Sequence, residues 1–193
     1  MDNAKVSDYI ICKNICIGQG AFSKVYLGHL KDNTSMRVAI KEININQIND
    51  NLKERFFEEI NIINIIKKNP HENIVKCYSI THTLDKIYIV MEYCESGELS
   101  KLIKKKLTED KIKFYFKQII NAFLHLDKLN IIHRDVKPAN ILLTNNYETI
   151  KITDFGLSRI NSDSNLMNTI CGSPFYMSPE ILNEKQYDKD TDI

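Results

Sequence analysis

The chain has 193 residues, enough for one domain or for two small lobes that share a core. Apolar residues make up 43% of the sequence and charged residues 26%, which is typical of a globular protein and excludes a disordered or fibrous chain. Lys and Arg number 26 against 25 Asp and Glu, and a formal net charge of only +1 does not attract nucleic acid or anionic lipid.

The first 93 residues have the pattern of a strand-rich lobe. Residues 1–8 are polar and are predicted to form an N-terminal tail. A glycine turn at residues 18–20 separates the first two strands, and apolar residues at helical spacing predict a helix over residues 52–67, which Pro70 ends. The five predicted strands cover residues 9–17, 24–30, 37–43, 74–80 and 86–93.

The rest of the chain is predicted to be mainly helical. Residues 94–97 form the connector, and residues 98–193 form the second lobe. Thr108 is a suitable N-cap for a helix with Glu109 and Asp110 in its first turn. One apolar stripe is expected on this helix, made of Ile112, Phe116, Ile119, Ile120 and Phe123. A strand-rich lobe followed by a helical one predicts the α+β fold class.

The sequence has no targeting or membrane-spanning pattern. Residues 1–8 lack the apolar region of a signal peptide, and no apolar run approaches the roughly 18 residues that a membrane span requires. The five cysteines are an odd number, spread along the chain, and Cys12 and Cys16 have no second pair at zinc spacing. We therefore expect reduced thiols and a cytoplasmic location.

Gly18 to Ser23 form a glycine-rich loop of the G-x-G-x-x-G type, with Ser23 at the third glycine position. A dinucleotide-binding loop of this type runs into a helix. Here residues 24–28 alternate in the β pattern, which favours a hairpin. Glycines in such a hairpin allow its backbone N–H groups to approach phosphates closely.

Lys41 lies at the end of the apolar strand Val38-Ala39-Ile40-Lys41. A lysine here could be an edge residue that reaches solvent, and the strand alone does not decide against this. Glu59 lies on the face of the next helix that is expected to contact the sheet. A lysine held by such a carboxylate is suited to bridging two phosphates.

The strongest signal is residues 133–140, His-Arg-Asp-Val-Lys-Pro-Ala-Asn, where polar groups crowd between two apolar segments. The Asp135 carboxylate can orient a hydroxyl, Lys137 can contact a transferred phosphoryl group, and the Asn140 amide oxygen can bind a cation. Asp154, which precedes Phe155 and Gly156, would be a turn residue if it stood alone. At this distance from residues 133–140 we expect a metal ligand.

Taken together, these motifs resemble the eukaryotic protein kinases, in the family's order and spacing from Tyr9 to the last residue. The resemblance implies a two-lobed fold, with a five-stranded antiparallel N-lobe that carries one helix and a mainly helical C-lobe. It also implies ATP and Mg²⁺ as cofactors and proteins with Ser or Thr acceptors as substrates, with no nucleic acid involved. Asp135 would accept the substrate's proton, Lys137 would stabilise the γ-phosphoryl group, and Asn140 and Asp154 would hold magnesium.

The resemblance assigns the nucleotide to residues of both lobes. Lys41 would bind the phosphates while paired with Glu59, and Met91 would be the gatekeeper beside the adenine. Glu98 would lie near the ribose. The full set of expected nucleotide-binding residues is Ile17, Gly18, Gln19, Gly20, Ala21, Phe22, Ser23, Lys24, Val25, Ala39, Lys41, Met91, Glu92, Cys94, Glu98 and Leu142.

Other residues indicate the type of kinase. Lys137, two residues after Asp135, matches the serine/threonine kinases, and Ser173 would help to select Ser or Thr. Arg134 marks the class that is switched by phosphorylation, for which Thr169 is the candidate site; an unmodified Thr169 is the alternative. The segments 91–94, 171–177 and 187–188 resemble the autophagy-initiating (ULK-type) kinases, with the NIMA-related group as the competitor.

The sequence departs from the family's pattern at its end, after Ile193, where the family continues into further helices. We expect Asp192 to anchor the backbone near His133, and Glu180 to be a buried charge without its partner. Two hypotheses follow. The first is an ATP-dependent serine/threonine kinase, completed or regulated by a partner protein. The second is a weak or inactive truncated kinase that acts as a nucleotide-binding or interaction module.

Overall fold

The computed structural model describes residues 3–20, 22–47, 50–160, 172–183, 185, 187 and 189–192. The chain divides into two compact units, one of residues 1–54 and 76–93 and the other of residues 55–75 and 94–193. Residues 55–75 therefore group with the second unit, whereas the sequence suggested the N-lobe, residues 9–93. The reason is that Ile62, Ile66 and Ile74 belong to the apolar core of the second unit.

The first unit is built on one antiparallel sheet of six strands in the order β1-β2-β3-β4-β6-β5. The strands are β1 (Asn3–Val6), β2 (Tyr9–Gln19), β3 (Ser23–Leu30), β4 (Asn33–Asn44), β5 (Cys77–His82) and β6 (Lys86–Glu92). A short 3-10 helix, Ile45–Gln47, follows β4, and α1 (Asp50–Lys68) comes before β5.

The sheet has one strand more than the five that the sequence predicted. Strand β1 lies within the predicted tail, residues 1–8, and pairs with β2 from Asn3 opposite Cys12 to Val6 opposite Tyr9. Ser7 adopts a φ of +54°, which allows the chain to reverse between the two strands. Val6 is buried in the apolar core of the sheet, and this packing holds strand β1 in place.

Two strands begin more than one residue away from their predicted starts. Strand β4 begins at Asn33 instead of residue 37, because the turn before it is tight and Leu30 already pairs with Asn33. Strand β5 begins at Cys77 instead of residue 74. Ile74 forms an isolated parallel bridge with Ile152 in the second unit instead of continuing the sheet.

The second unit combines helices with short strands. The helices are α2 (Leu99–Leu102), α3 (Glu109–Lys128) and α4 (Pro179–Leu182), with 3-10 turns at Pro138–Asn140, Pro174–Tyr176 and Lys189–Asp192. The strands are β7 (Gly97–Glu98), β8 (Ile131–Ile132), β9 (Ile141–Thr144), β10 (Thr149–Ile152) and β11 (Arg159–Ile160). Strands β10, β9 and β7 form one small sheet, and β11 pairs with β8. The expected α+β class is confirmed.

Helix α3 begins where the sequence predicted, but it buries a different face. Thr108 is its N-cap, and the Thr108 hydroxyl accepts a hydrogen bond from the Lys111 backbone at 3.3 Å. The predicted stripe is only partly covered: Ile119 and Phe123 pack against the core, whereas Ile112, Phe116 and Ile120 are 51%, 60% and 47% exposed. The fully buried residues of the helix are Tyr115, Ala122 and Leu126.

In the described ranges, no helix is both long and apolar enough to cross a membrane. Among the described residues, Cys12, Cys16, Cys77 and Cys94 form no disulfide bond, and Cys171 lies outside the described residues.

Candidate active site

The segment that follows strand β8, residues 133–135, is held in place by the buried imidazole ring of His133. This imidazole contacts the edges of Phe155 and Phe123, with ring centroids 5.2 and 6.2 Å apart. Its Nε2–H donates to the Thr153 carbonyl at 3.0 Å, and Nδ1 accepts the Asp135 N–H at 3.3 Å. Both ring nitrogens are used, so the ring orientation and tautomer are fixed. One side chain therefore joins the segment that carries Asp135 to the one that precedes Asp154.

Two backbone N–H groups of this segment converge on one carboxylate. His133 N–H donates to Asp192 Oδ2 at 2.5 Å, and Arg134 N–H donates to Asp192 Oδ1 at 2.8 Å. The anchoring role that the sequence assigned to Asp192 is therefore present.

Glu180, in contrast, is not the buried, unpaired charge that the sequence suggested. Its own backbone N–H and the Ser178 and Thr191 hydroxyls lower the pKa of its carboxyl.

Arg134 is buried and has a left-handed backbone, with φ +64°. Its Nε donates to the Leu157 carbonyl at 2.6 Å, and its Nη1 donates to the Tyr187 hydroxyl at 3.1 Å. The guanidinium thus ties the segment after Asp154 to residues near the end of the chain. The sequence pointed to Arg134 as a regulatory residue but gave no sign that Tyr187 would be its partner.

The Asp135 carboxylate lies at the centre of a hydrogen-bond network. Lys137 Nζ donates to Asp135 Oδ2 and to Ser173 Oγ, each at 2.7 Å. The Ser173 hydroxyl in turn donates to Asp135 Oδ1 at 2.9 Å. Asn140 Nδ2 donates to Asp135 Oδ2 at 2.8 Å and to its carbonyl at 2.9 Å. The structure therefore brings together Asp135, Lys137, Asn140 and Ser173.

This network sets the charge of Asp135. Burial by itself would raise the pKa of the carboxyl. The hydrogen bonds from Lys137, Ser173 and Asn140, together with the positive charge of Lys137, outweigh burial and hold the pKa below its ordinary value. Asp135 is therefore ionised at neutral pH, the state in which a carboxylate accepts a hydrogen bond from a hydroxyl.

Asn140 and Asp154 lie at the open end of the β9–β10 hairpin. Asn140 directly precedes β9, Asp154 follows β10 by two residues, and Thr153 N–H donates to the Asn140 carbonyl at 3.0 Å. A Cβ atom built on Gly156 would lie 3.4 Å from Asp154 Oδ1 and 3.5 Å from Glu59 Oε2. Both carboxylates therefore lie close to the backbone of Gly156, at ordinary van der Waals distance from where a Cβ atom would stand.

The donor set at this end of the hairpin fits magnesium. In the described part of the chain, no three His, Cys, Asp or Glu side chains are grouped to hold a metal by themselves. Magnesium is usually held by one or two carboxylates together with substrate phosphates, so a protein cage is not required. The Asn140 nitrogen is committed to Asp135, which leaves Oδ1 as the ligand atom of this amide. Asn140 and Asp154 each carry a side-chain oxygen of the kind that magnesium accepts as a ligand.

The remaining nucleotide-binding candidates of the second unit lie on the sheet next to this hairpin. Glu98 pairs with Leu142 in the β7–β9 ladder, and the buried Cys94 lies three residues before β7. The Ser100 hydroxyl donates to Glu98 at 2.6 Å, and this bond, more than the nearby Lys101, lowers the pKa of the Glu98 carboxyl. Glu98 is therefore a charged hydrogen-bond acceptor.

In the first unit, the glycine-rich segment is the hairpin that the sequence favoured. Gly18 pairs with Val25 and Gln19 with Lys24, and Gly20 N–H donates to the Ser23 carbonyl at 2.8 Å. The chain continues into strand β3 instead of a helix, which excludes the dinucleotide-binding alternative. The side chains of Ile17 and Phe22 at this hairpin are exposed. Ala21 lies outside the described residues.

Four candidates of the first unit share one face of its sheet. Lys41 is directly opposite Val25, and Ala39 is directly opposite Met91. Directly opposite residues of an antiparallel pair point to the same side, as do residues two apart on one strand. Ile40, between Ala39 and Lys41, points to the other face, where it is buried in the apolar core. Glu92 is at the end of β6, where its N–H donates to the Lys76 carbonyl at 2.9 Å.

Sequence reasoning missed the residues that support the site from outside the motifs. Three such residues bond to backbone or side-chain atoms in or beside the segments that lead to Asp135 and Asp154. They are Gln118, Asn73 and Tyr187. Each partner is at least 32 positions away along the chain, so no local pattern could have indicated these contacts. Thr169 lies outside the described residues.

Residues 12–193 match the sequence profile of the family described as "Protein kinase domain". The serine/threonine-protein kinase unc-51 of Caenorhabditis elegans is 39% identical over 94% of this chain, and the serine/threonine-protein kinase atg1 of Dictyostelium discoideum is 40% identical over 98%. The chain spans only 22% and 29% of the length of these two relatives.

Other kinases match at nearly the same level. The CBL-interacting serine/threonine-protein kinase 10 of Arabidopsis thaliana is 41% identical over 89% of this chain, which spans 36% of that relative. The resemblance to ULK-type serine/threonine kinases, expected from the sequence, is confirmed by unc-51 and atg1, although identity alone does not separate this group from the plant enzyme. The chain belongs to the protein kinase family.

Proposed function

We propose that this chain transfers the γ-phosphoryl group of ATP to serine or threonine hydroxyls of protein substrates. The observation that carries the proposal is the contact between Asp135 and Ser173. A serine hydroxyl donates to the Asp135 carboxylate while it accepts from Lys137. An aliphatic hydroxyl at this position has the partners that a substrate hydroxyl needs for transfer.

The proposed roles follow from the contacts of each side chain. Asp135 accepts a hydrogen bond from the substrate hydroxyl, orients its oxygen and receives its proton. Lys137, already bonded to Asp135, places its ammonium next to the transferred group and offsets its negative charge. Because the transition state of phosphoryl transfer is loose, such positioning and charge stabilisation supply most of the catalysis.

Asn140 and Asp154 are the proposed magnesium ligands. A Mg²⁺ ion held by these two side chains would supply positive charge that offsets the negative charge of the phosphates. The hairpin between these two residues fixes their spacing through the Thr153–Asn140 hydrogen bond. Lys41 is proposed to bind the phosphates, and the hairpin of residues 17–25 to cover them with its backbone N–H groups.

Regulation is proposed to act on the segment that contains Thr169. A phosphate on Thr169 would add about two negative charges, which a guanidinium can bind through paired hydrogen bonds. Arg134 is the proposed partner, because its position directly before Asp135 couples any shift of its side chain to the catalytic carboxylate.

The proposal is tested by incubating the purified chain with labelled ATP, Mg²⁺ and a generic basic protein. Replacing Asp135 with Asn keeps the shape of the side chain but removes the proton acceptor, and we expect transfer to fall by about 10²- to 10⁴-fold. Asp110→Asn, an exposed change in the first turn of α3, is the matched control and should leave the rate unchanged. Equal transfer by the wild type and Asp135→Asn would contradict the proposal and favour a nucleotide-binding or interaction module.

A further inference from the structure

Strand β10 has two hydrogen-bonded edges, and only one of them faces another strand. On the outer edge, Ile152 N–H donates to the Asn73 carbonyl at 2.8 Å, and the Ile152 carbonyl accepts Val75 N–H at 2.9 Å. The next backbone pair on this edge belongs to Ile150. Its N–H donates to Gln118 Oε1 at 3.0 Å, and its carbonyl accepts from Asn73 Nδ2 at 3.2 Å. A loop and one helix side chain therefore take the place of a neighbouring strand.

Gln118 joins three partners on this edge through its side-chain amide. Oε1 accepts both Ile150 N–H and Asn73 Nδ2, the latter at 2.9 Å, and Nε2 donates to the Glu148 carbonyl at 3.0 Å. Ile150 is 0% exposed, so water cannot replace the acceptor if Gln118 is removed. A buried N–H without an acceptor is costly, and the strand would have to shift to satisfy it.

A shift of β10 would reach the proposed metal ligands. Ile152, the last residue of the strand, is two positions before Asp154, and Thr153 bonds to the carbonyl of Asn140. The inner edge of β10 pairs with β9, which begins directly after Asn140. The Gln118 contacts lie on the opposite edge and hold β10 between helix α3 and β9. The distance between Asp154 and Asn140 therefore depends on contacts that neither residue makes itself.

We infer that Gln118 is a positioning residue for the magnesium ligands, acting through strand β10 on Asp154. The inference rests on the proposed function, since it presumes that Asn140 and Asp154 bind Mg²⁺. Side chains that orient metal ligands from outside typically change metal affinity about 10- to 100-fold when they are replaced. Gln118 is such a side chain, because it contacts the strand that precedes Asp154. Its helix, α3, contributes no candidate ligand.

The test compares Gln118→Met and Gln118→Ala with two controls. Met fills nearly the same space as Gln but cannot form its hydrogen bonds. Ala removes both the bulk of the side chain and its hydrogen bonds. Lys117→Ala changes an exposed neighbour on α3. Tyr115→Phe removes a single bond at the closed end of the same hairpin, where Tyr115 donates to the Tyr147 carbonyl at 2.8 Å. ADP affinity is measured by calorimetry with and without Mg²⁺, and amide hydrogen exchange is followed at Ile152 and Thr153.

For both Gln118 variants we expect metal-free ADP affinity close to that of the wild type, but an enhancement by Mg²⁺ that is about tenfold smaller. Exchange at Ile152 and Thr153 should be faster, and both controls should keep the full enhancement. If one Gln118 variant is too unstable, the other carries the test. A variant that melts earlier but keeps the full enhancement would overturn the inference, because Gln118 would then only stabilise the fold. A wild type that shows no enhancement at all would instead refute the magnesium site in the proposed function, and the inference with it.

Discussion

The Asp192 carboxylate accepts the two backbone N–H groups that directly precede Asp135, those of His133 and Arg134. Both of these residues are buried, so water has little access to their amides. Burial raises the pKa of the Asp192 carboxyl, in spite of the opposing effects of His133, Arg134 and their two N–H groups. The Asp192 side chain thus determines whether the two backbone N–H groups that precede Asp135 have hydrogen-bond acceptors.

Replacing Asp192 with Ala should lower the free energy of unfolding by about 2–6 kcal/mol, because two buried N–H groups lose their acceptor at about 1–3 kcal/mol each. Urea denaturation measures the loss. Asp32→Ala, at an exposed hairpin turn, is the control and should change stability by less than about 0.5 kcal/mol. If the two variants are equally stable, the Asp192 contacts do not contribute to folding.

At the scale of single residues, the sequence identified the groups that would do the chemistry better than the groups that support them. Asp135, Lys137, Asn140 and Ser173 stand in short motifs, and the structure brings these four together. Gln118 is a half-buried residue of an ordinary helix, and its partners are backbone atoms of residues 148 and 150. Only the three-dimensional fold reveals such a role.

At the scale of elements, the turn between α1 and β5 is held by a pair of stacked histidines. The rings of His71 and His125 lie 4.8 Å apart. His71 Nδ1 accepts the Asn73 N–H at 3.1 Å, and His125 Nε2 donates to the Asn69 carbonyl at 2.9 Å. A proton on His71 Nδ1 would remove the acceptor of Asn73, the residue that bonds to the outer edge of β10.

The His71 pKa is lowered from its ordinary value of 6.5 by burial first and then by His125, Lys151 and Lys128, while Glu72 acts in the opposite direction. The folded protein therefore binds this proton less readily than the unfolded chain does. The contribution of His71 to stability should be complete above about pH 6.5 and should be lost as the pH falls below it.

The prediction is tested by thermal unfolding of the wild type and His71→Asn at several pH values on both sides of about 6.5. The Asn side chain retains an oxygen that can accept the Asn73 N–H but does not titrate. We expect the melting temperature of the wild type to fall more steeply towards acid pH than that of His71→Asn. The exposed His82→Asn should behave like the wild type. Parallel curves for the wild type and His71→Asn would show that His71 does not titrate in this range.

At the scale of the whole molecule, each unit has its own apolar core. Ile40 belongs to the core of the six-stranded sheet, and Leu143 belongs to the core that α3 and the β9–β10 hairpin share. Both side chains are fully buried. Because no residue is common to the two clusters, a cavity in one core removes contacts from one unit only.

Ile40→Ala and Leu143→Ala should each lower the free energy of unfolding by about 2–5 kcal/mol through the cavity that they create. Hydrogen exchange followed by mass spectrometry should locate the effect. We expect Ile40→Ala to accelerate exchange mainly in strands β2, β3, β4 and β6, and Leu143→Ala mainly in β9, β10 and α3. Uniform acceleration along the chain in both variants would contradict this assignment of cores.

The order and type of the main elements could be predicted from the sequence, because strand alternation, the glycine turn and the Thr108 cap are local signals. The buried face of α3 could not be predicted. Its apolar residues surround more than one side of the helix, and only the partners that the fold supplies select Tyr115, Ala122 and Leu126 for burial. Strand β1 was missed for a similar reason, since four residues with one buried side chain have too weak a pattern.

Strand β1 forms one edge of the six-stranded sheet and therefore affects whether that edge can pair with another molecule. An unpaired strand offers a row of open N–H and C=O groups on which a second molecule can add a strand and begin to aggregate. Here the outermost strand has only four residues and carries the exposed Lys5. A short edge strand with a positive charge is a poor template for the addition of a strand from a second molecule. This strand therefore protects residues 9–12 of its neighbour from intermolecular pairing.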